Sequence, residues 1–158
     1  MLKGVREKIR KFAAKKSKGN LAVFIDGPNI LRKEFSVDLL QIKRLLEEFG
    51  NVKISRVFLN QYASNKLVEA VVNQGFEIVT TIGDIDTSMI ADAVEAVFNP
   101  NIHTIALVTR DSDFLPAIVK AKRYGKDTIV VLADEAAAAA LKNNADHVII
   151  LQKPSGKK

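Results

Sequence analysis

From residue 21 onward the chain alternates short apolar runs with amphipathic segments, and this alternation restricts the fold more than any single motif does. "LAVFID" (21–26), "VKISRVFLN" (52–60), "FEIVTTI" (76–82), "HTIALVT" (103–109), "DTIVVLA" (127–133) and "HVIIL" (147–151) read as strands. Between them, "SVDLLQIKRLLEEFG" (36–50), "SNKLVEAVVNQG" (64–75), "DTSMIADAVEAVFN" (86–99), "DFLPAIVKAKRYG" (113–125) and "EAAAAALKNNA" (135–145) read as helices. The first two helices start at Ser36 and Ser64, which suit N-caps, and stop at glycine. Pro116 is tolerated in a first helical turn. The alanine run 136–140 needs no special role, because alanine is the best helix former. Strands separated by helices predict an α/β sandwich with a mostly parallel central sheet. Ligands of such sheets bind outside the carboxyl ends of the strands, where the strand order reverses.

A chain of 158 residues is long enough for one domain with a sizeable core. It has no cysteine, so disulfides, thiolate catalysis and cysteine zinc sites are excluded, and two histidines are too few for a histidine-rich metal site. No apolar run is long enough to span a bilayer and no secretory leader pattern is visible, so a cytoplasmic protein is expected. The formal charge of +6 is unevenly spread. Residues 1–19 carry eight Lys/Arg and one Glu, and residues 153–158 three lysines; the remaining body holds thirteen basic and seventeen acidic groups. The ends are therefore basic and the body acidic. Leu2, Val5, Ile9 and Phe12 recur at helical spacing, which predicts a basic amphipathic helix over about residues 2–15. Such a helix docks on the body, pairs with a second chain to give a homo-oligomer, or lies on an anionic surface. The expected organisation is a basic helix and linker (1–19), one α/β domain (20–152) and a basic disordered tail (153–158). Basic arms of this kind either attract polyanions, including through Lys15 and Lys16, or simply solubilise frayed termini.

The aspartates fall at informative places. Asp26 ends the first strand, Asp84 and Asp86 follow the third, and Asp111 and Asp113 follow the fourth. If strands one and four are neighbours, these acids share one crevice. Carboxylates that close repel one another and are costly to bury unpaired. Apart from Arg110, no basic residue stands at a matching strand end, so a divalent cation is the natural counter-charge. Each acid also has a plainer reading: Asp86 as an N-cap, Asp113 as a helix-dipole partner, and Asp111 or Ser112 as its cap. Asp26 fits such a reading least well, because it ends a strand as apolar as "LAVFI". In "DGPNI", Gly27 permits close backbone approach and Pro28 suits the start of a short helix. Asn29 can then turn its amide towards Asp26 or towards a bound phosphate.

Two other patterns point elsewhere. "DIDTS" (84–88) approaches the motif of aspartate-nucleophile phosphatases, but it follows the third strand rather than the first, and no lysine completes it. Glycine-rich nucleotide loops are absent, and His103 and His147 read as turn residues. The two tyrosines and eight phenylalanines fall mostly in core patterns, so no aromatic surface for stacking RNA bases is expected.

The stretches "NLAVFIDGPNI", "DIDTSMIADAV", "IALVTRDSDFLPAIVKAKRYGKDTIVV" and "LKNNADHVIIL" together resemble the successive motifs of NYN domains, the PIN-like nuclease group that includes LabA-type proteins. The resemblance covers about residues 20–151. It implies a PIN-like Rossmannoid three-layer sandwich whose acids hold Mg²⁺ or Mn²⁺ for cleavage of RNA phosphodiesters. By motif, Asp26 and Asn29 match the family's "D-x-x-N", Asp86 the aspartate of "K-G-x-D", and Asp111, Ser112 and Asp113 its "S-G-D-S-D-F". Asp92 falls where many members carry a further helix acid, but six residues beyond Asp86 it points to another helix face. The sequence departs from the pattern in lacking the lysine of "K-G-x-D" and in reading "T-R-D" for "S-G-D". The second departure places Arg110 beside the acids, either to contact substrate phosphate or to neutralise them. The expectation is a metal-dependent ribonuclease with Asp26, Asp86, Asp111 and Asp113 as catalytic metal ligands and Asn29, Ser112 and Arg110 as substrate contacts. The alternatives are an RNA-binding module without turnover and, behind it, a phosphatase that uses Asp84.

Overall fold

The computed structural model describes residues 19–31, 38–134 and 138–151. The basic helix expected over 2–15, Lys15, Lys16, Ser36 and the tail lysines lie outside the described residues. Six strands form one sheet: β1 (Asn20–Asp26), β2 (Asn51–Asn60), β3 (Glu77–Thr81), β4 (Thr104–Val108), β5 (Asp127–Leu132) and β6 (His147–Ile150). Their order is β3-β2-β1-β4-β5-β6, and every neighbouring pair is parallel. The helices are α1 (Gly27–Ile30), α2 (Leu39–Glu47), α3 (Asn65–Asn73), α4 (Ile85–Val97), α5 (Leu115–Arg123) and α6 (Ala139–Asn144), with a 3-10 turn at Ser112–Phe114.

Alternation of side chains divides the core in two. In β1, Ala22 and Phe24 face one layer, while Leu21, Val23 and Ile25 face the other. The same split separates Ile105 and Leu107 from Ala106 and Val108 in β4. Because helices cover both faces, the central strands are apolar at nearly every position rather than at alternate ones. The first layer is closed by Met89, Ala93 and Val97 of α4 and by Ala117, Ile118 and Ala121 of α5; the second by Leu39, Ile42 and Leu46 of α2 and Val71 of α3. The three-layer α/β architecture expected from the sequence is therefore present, with a sheet that is wholly parallel. No helix among the described residues is long and apolar enough to cross a membrane.

Helix starts depart from the sequence reading in three places. Asp38 caps α2, accepting from the Leu40 amide, so the helix begins at Leu39 rather than at 36. Asp84, not Asp86, caps α4. Ala138 has φ 53° and ψ 54°, a left-handed backbone that no helix interior allows, so α6 begins at Ala139, and residues 135–137 of the expected helix lie outside the described residues. Ser64 does cap α3, accepting from the Leu67 amide at 3.2 Å.

Candidate functional site

β1 and β4 are adjacent, with Ile25 paired to Val108, and the chain leaves them towards opposite halves of the sheet. Their carboxyl ends thus form the crevice where this topology places ligands. Asp26 stands at the end of β1 and is 1% exposed. Gly27 lets the chain turn tightly there: a Cβ on it would lie 2.4 Å from the carbonyl oxygen of Phe58 and 2.5 Å from Leu59 Cδ2. Pro28 then opens α1, as its fixed φ favours, and Asn29 returns its amide to Asp26, Nδ2 donating to Oδ2 at 2.6 Å.

Thr109, one residue past β4 and fully buried, links the two strand ends. Its hydroxyl donates to Asp26 Oδ2 at 3.2 Å and accepts from the Asp111 amide at 3.1 Å. Asp111 in turn accepts from the Asp113 amide through Oδ1 at 2.8 Å, which shapes the turn into α5. From the β3 side, Asp84 accepts from the Asp86 amide and from Thr87 Oγ1, both bonds serving the start of α4. That relieves Asp86 of capping and leaves its carboxylate to face the β4 loop.

The outcome is a three-sided acidic cluster. Asp86, Asp111 and Asp113 each offer a carboxylate oxygen, and these oxygens lie within 4.8 Å of one another. Asp26 is not one of these three. It lies at the buried base of the site, hydrogen-bonded to Asn29 and Thr109. Among the described residues no lysine or arginine forms an ion pair with any of the four. Arg110, which follows Thr109, instead reaches Asp134 beyond β5, Nη2 to Oδ2 at 3.5 Å. Asp92 is held by Arg56 at 3.2 Å, away from the cluster. Ser112 is exposed in the 3-10 turn.

The electrostatics follow from this crowding. Burial pushes Asp26 above the usual carboxylate range and the charge of Asp111 adds to the effect, against the hydrogen bonds from Asn29 and Thr109. Asp86 is pushed up to about 6, first by burial, then by its hydrogen bond and repulsion with Asp111, with Asp26 and Asp84 adding further repulsion. Its place in the first turn of α4, where the helix dipole favours an anion, does not offset these effects. The folded protein therefore holds a proton on Asp86 that the unfolded chain has already released. That contribution favours the fold below the unfolded pKa near 3.8 and is lost as pH rises through about 6. A divalent cation needs the ionised carboxylate, so manganese binding at about pH 5 is expected to release a proton and to tighten as pH rises to about 6.5. Calorimetric titration in two buffers of different ionisation enthalpy measures the proton count; a count of zero at both pH values contradicts the assignment.

The chemistry of the donor set fits a hard divalent ion. It offers carboxylate oxygens only, crowded, unneutralised and partly open to water, as magnesium and manganese prefer. The sequence alone assigns Thr109 no role. The signal was present, since a threonine directly after an apolar strand and two residues before an acid can accept that acid's amide. Its bond to Asp26 depends on β1 and β4 being neighbours, which the sequence left conditional. Thr109→Val keeps the shape and removes both bonds. It is expected to destabilise the fold by about 1–2 kcal/mol, because a buried carboxylate loses a donor. Chemical denaturation checks this, and a cost matching that of Thr104→Val would remove the linking role.

Comparison with known proteins agrees with the architecture. The NYN domain model matches residues 20–152. An uncharacterized protein of Methanocaldococcus jannaschii is 57% identical over 145 residues, which is 92% of this chain and 59% of that protein. The chain thus spans less than two thirds of that relative's length. With its parallel sheet, its acids at three strand ends and a match across nearly the whole body, the chain belongs to the NYN domain family.

Proposed function

We propose that this chain is a metal-dependent ribonuclease that hydrolyses phosphodiester bonds of RNA at the β1/β4 crevice. The observation that carries the proposal is the convergence of Asp86, Asp111 and Asp113 oxygens within 4.8 Å at the topological switch point of an NYN domain. These three side chains would hold Mg²⁺ or Mn²⁺, with Asp26 beneath them as a fixed negative charge and further ligand. When bound, the ion lowers the pKa of a water molecule and stabilises charge developing on the phosphoryl oxygens. Asn29 and Thr109 hold the Asp26 carboxylate in one orientation, so the site does not have to reorganise as charge develops. Ser112, exposed beside Asp111 and Asp113, is placed to orient a water or a phosphate oxygen. Arg110, turned towards Asp134, leaves the carboxylates negative and is assigned to a substrate phosphate on the β5 side. Both oxygens of Asp84 cap α4, which argues against the phosphatase reading that needs it as nucleophile.

The test is cleavage of a mixed RNA panel with manganese, comparing wild type with Asp26→Asn and Asp113→Asn. Loss of products in both variants and in EDTA supports the assignment. Equal products in all three proteins, or RNA binding with no products at any metal concentration, would sink it.

A further inference from the structure

The outer face of α5 carries an open groove of about 340 Å³ lined by Leu115, Pro116, Val119, Lys120 and Arg123, with no acid among its lining residues. Their spacing of three and four residues puts them on one helical stripe. Tyr124 caps the same helix, one turn beyond Lys120, and stacks edge-on with Phe98 at 4.7 Å between ring centroids. Phe98 is 56% exposed and Tyr124 51%, unlike the core-facing Phe24, Phe58 and Phe114. The pair is an exception to the expectation that the aromatic residues lie mostly in the core: the two stand at the C-caps of α4 and α5. Lys126 lies next to the pair and is held by the carbonyl oxygens of Asn99 and Ile102, which leaves its charge unneutralised. Glu95 is the acid one turn before Phe98 and is exposed.

We propose that this stripe, from Pro116 to Tyr124 with Phe98, is a second contact surface for single-stranded RNA, remote from the carboxylates and continuous with them along α5. The helix begins two residues after Asp113 and runs about 14 Å to Tyr124 at about 1.5 Å per residue. A strand held at the crevice can therefore follow the stripe away from it. Lys120 and Arg123 meet its phosphates, Leu115, Pro116 and Val119 form an apolar floor beneath sugars, and the Phe98–Tyr124 pair offers open ring faces to an unstacked base. Duplex RNA keeps its bases stacked inward and cannot use those faces, so the surface selects single strands. The inference rests on the ribonuclease reading for the position of the crevice end of the strand, but not for the binding itself.

The test uses the full chain in EDTA, so that nothing is cleaved, and fluorescence anisotropy with an unstructured single-stranded RNA of about 12 nucleotides, within the range of site sizes typical of stacking platforms, beside a duplex of the same length. The double variant Phe98→Ala/Tyr124→Ala is expected to bind the single strand about tenfold more weakly and the duplex unchanged. Lys120→Ala/Arg123→Ala should lower the slope of log K against log salt by about 1.4 for the single strand, at about 0.7 per phosphate contact. The charge variant touches no core residue, so it decides the matter even if the aromatic variant is poorly folded. Unchanged affinity and slope for the single strand overturn the proposal, as does equal weakening for single strand and duplex. So does a shift in oligomeric state on gel filtration with RNA affinity intact, which would make the face a protein contact. If no RNA is cleaved under any condition while these binding changes appear, the ribonuclease reading fails and this one stands.

Discussion

Asp111→Asn is expected to lower manganese-dependent RNA cleavage by at least about a hundredfold, equivalent to about 3 kcal/mol of transition-state stabilisation. The same substitution is expected to make the metal-free protein more stable at neutral pH, by about 1 kcal/mol. The opposite signs have one cause. Asp111 repels both Asp26 and Asp86, and its charge is among the reasons both sit above the ordinary carboxylate range. Asparagine removes that charge but keeps an oxygen that can accept from the Asp113 amide, so the turn into α5 survives. Asp111→Ala removes the charge and the acceptor together, and the lost cap costs about 1 kcal/mol, cancelling the gain. Thermal denaturation in EDTA, read beside a cleavage assay, separates these effects. A structural role alone predicts that Asn and Ala lower stability and activity in parallel, and that outcome would end the reading of Asp111 as a metal ligand.

Gly27→Ala is expected to produce the largest loss of stability of any single methyl addition among the described glycines remote from the chain ends. The added carbon meets a backbone carbonyl at 2.4 Å, in the strand that pairs directly with β1. Neither partner can rotate away, since Asp26 is in register with Phe58 and both are buried. Relief requires α1 to lift off β2, at about 3 kcal/mol, the upper part of the range for overpacked sites. For a chain of this size that corresponds to roughly 10 °C in Tm. Gly83 is the comparison. Its φ of +91° disfavours alanine, but nothing lies within 4 Å of the added carbon, so the cost there is about 1 kcal/mol of backbone strain. A Gly27→Ala protein no less stable than Gly83→Ala would show that the close approach of α1 to β2 is not fixed. Because Asn29 lies on α1 and holds Asp26, metal affinity should fall along with stability.

Much of this was legible from residue order. The buried strands announced themselves as continuous apolar runs, because a parallel sheet covered on both faces leaves no solvent side to encode. Ser64 and Pro28 were readable because capping and helix initiation depend on residues within one turn. The errors were also local in origin. Asp86 begins the periodic segment and so suits a cap by position, while Asp84, two residues earlier, does the capping. Asp38 does the same for α2. Asp92, which six residues of helix turn to another face, is occupied by Arg56, and that partner sits on a strand 36 residues away.

The sequence by itself determined the α/β class, the positions of the acids at strand ends and the chemistry those acids can support. Those properties follow from side-chain type and spacing along one element. Which acids meet was decided by the tertiary structure alone. Pairing of β1 with β4 sets Asp26 against Thr109 and Asp111, and the crossover into α4 brings Asp86 to the same crevice. Tertiary packing also turned Arg110 towards Asp134 and left Phe98 and Tyr124 stacked in the open. These outcomes rest on contacts between elements far apart in the chain, whose free energies depend on through-space distance rather than on spacing in sequence.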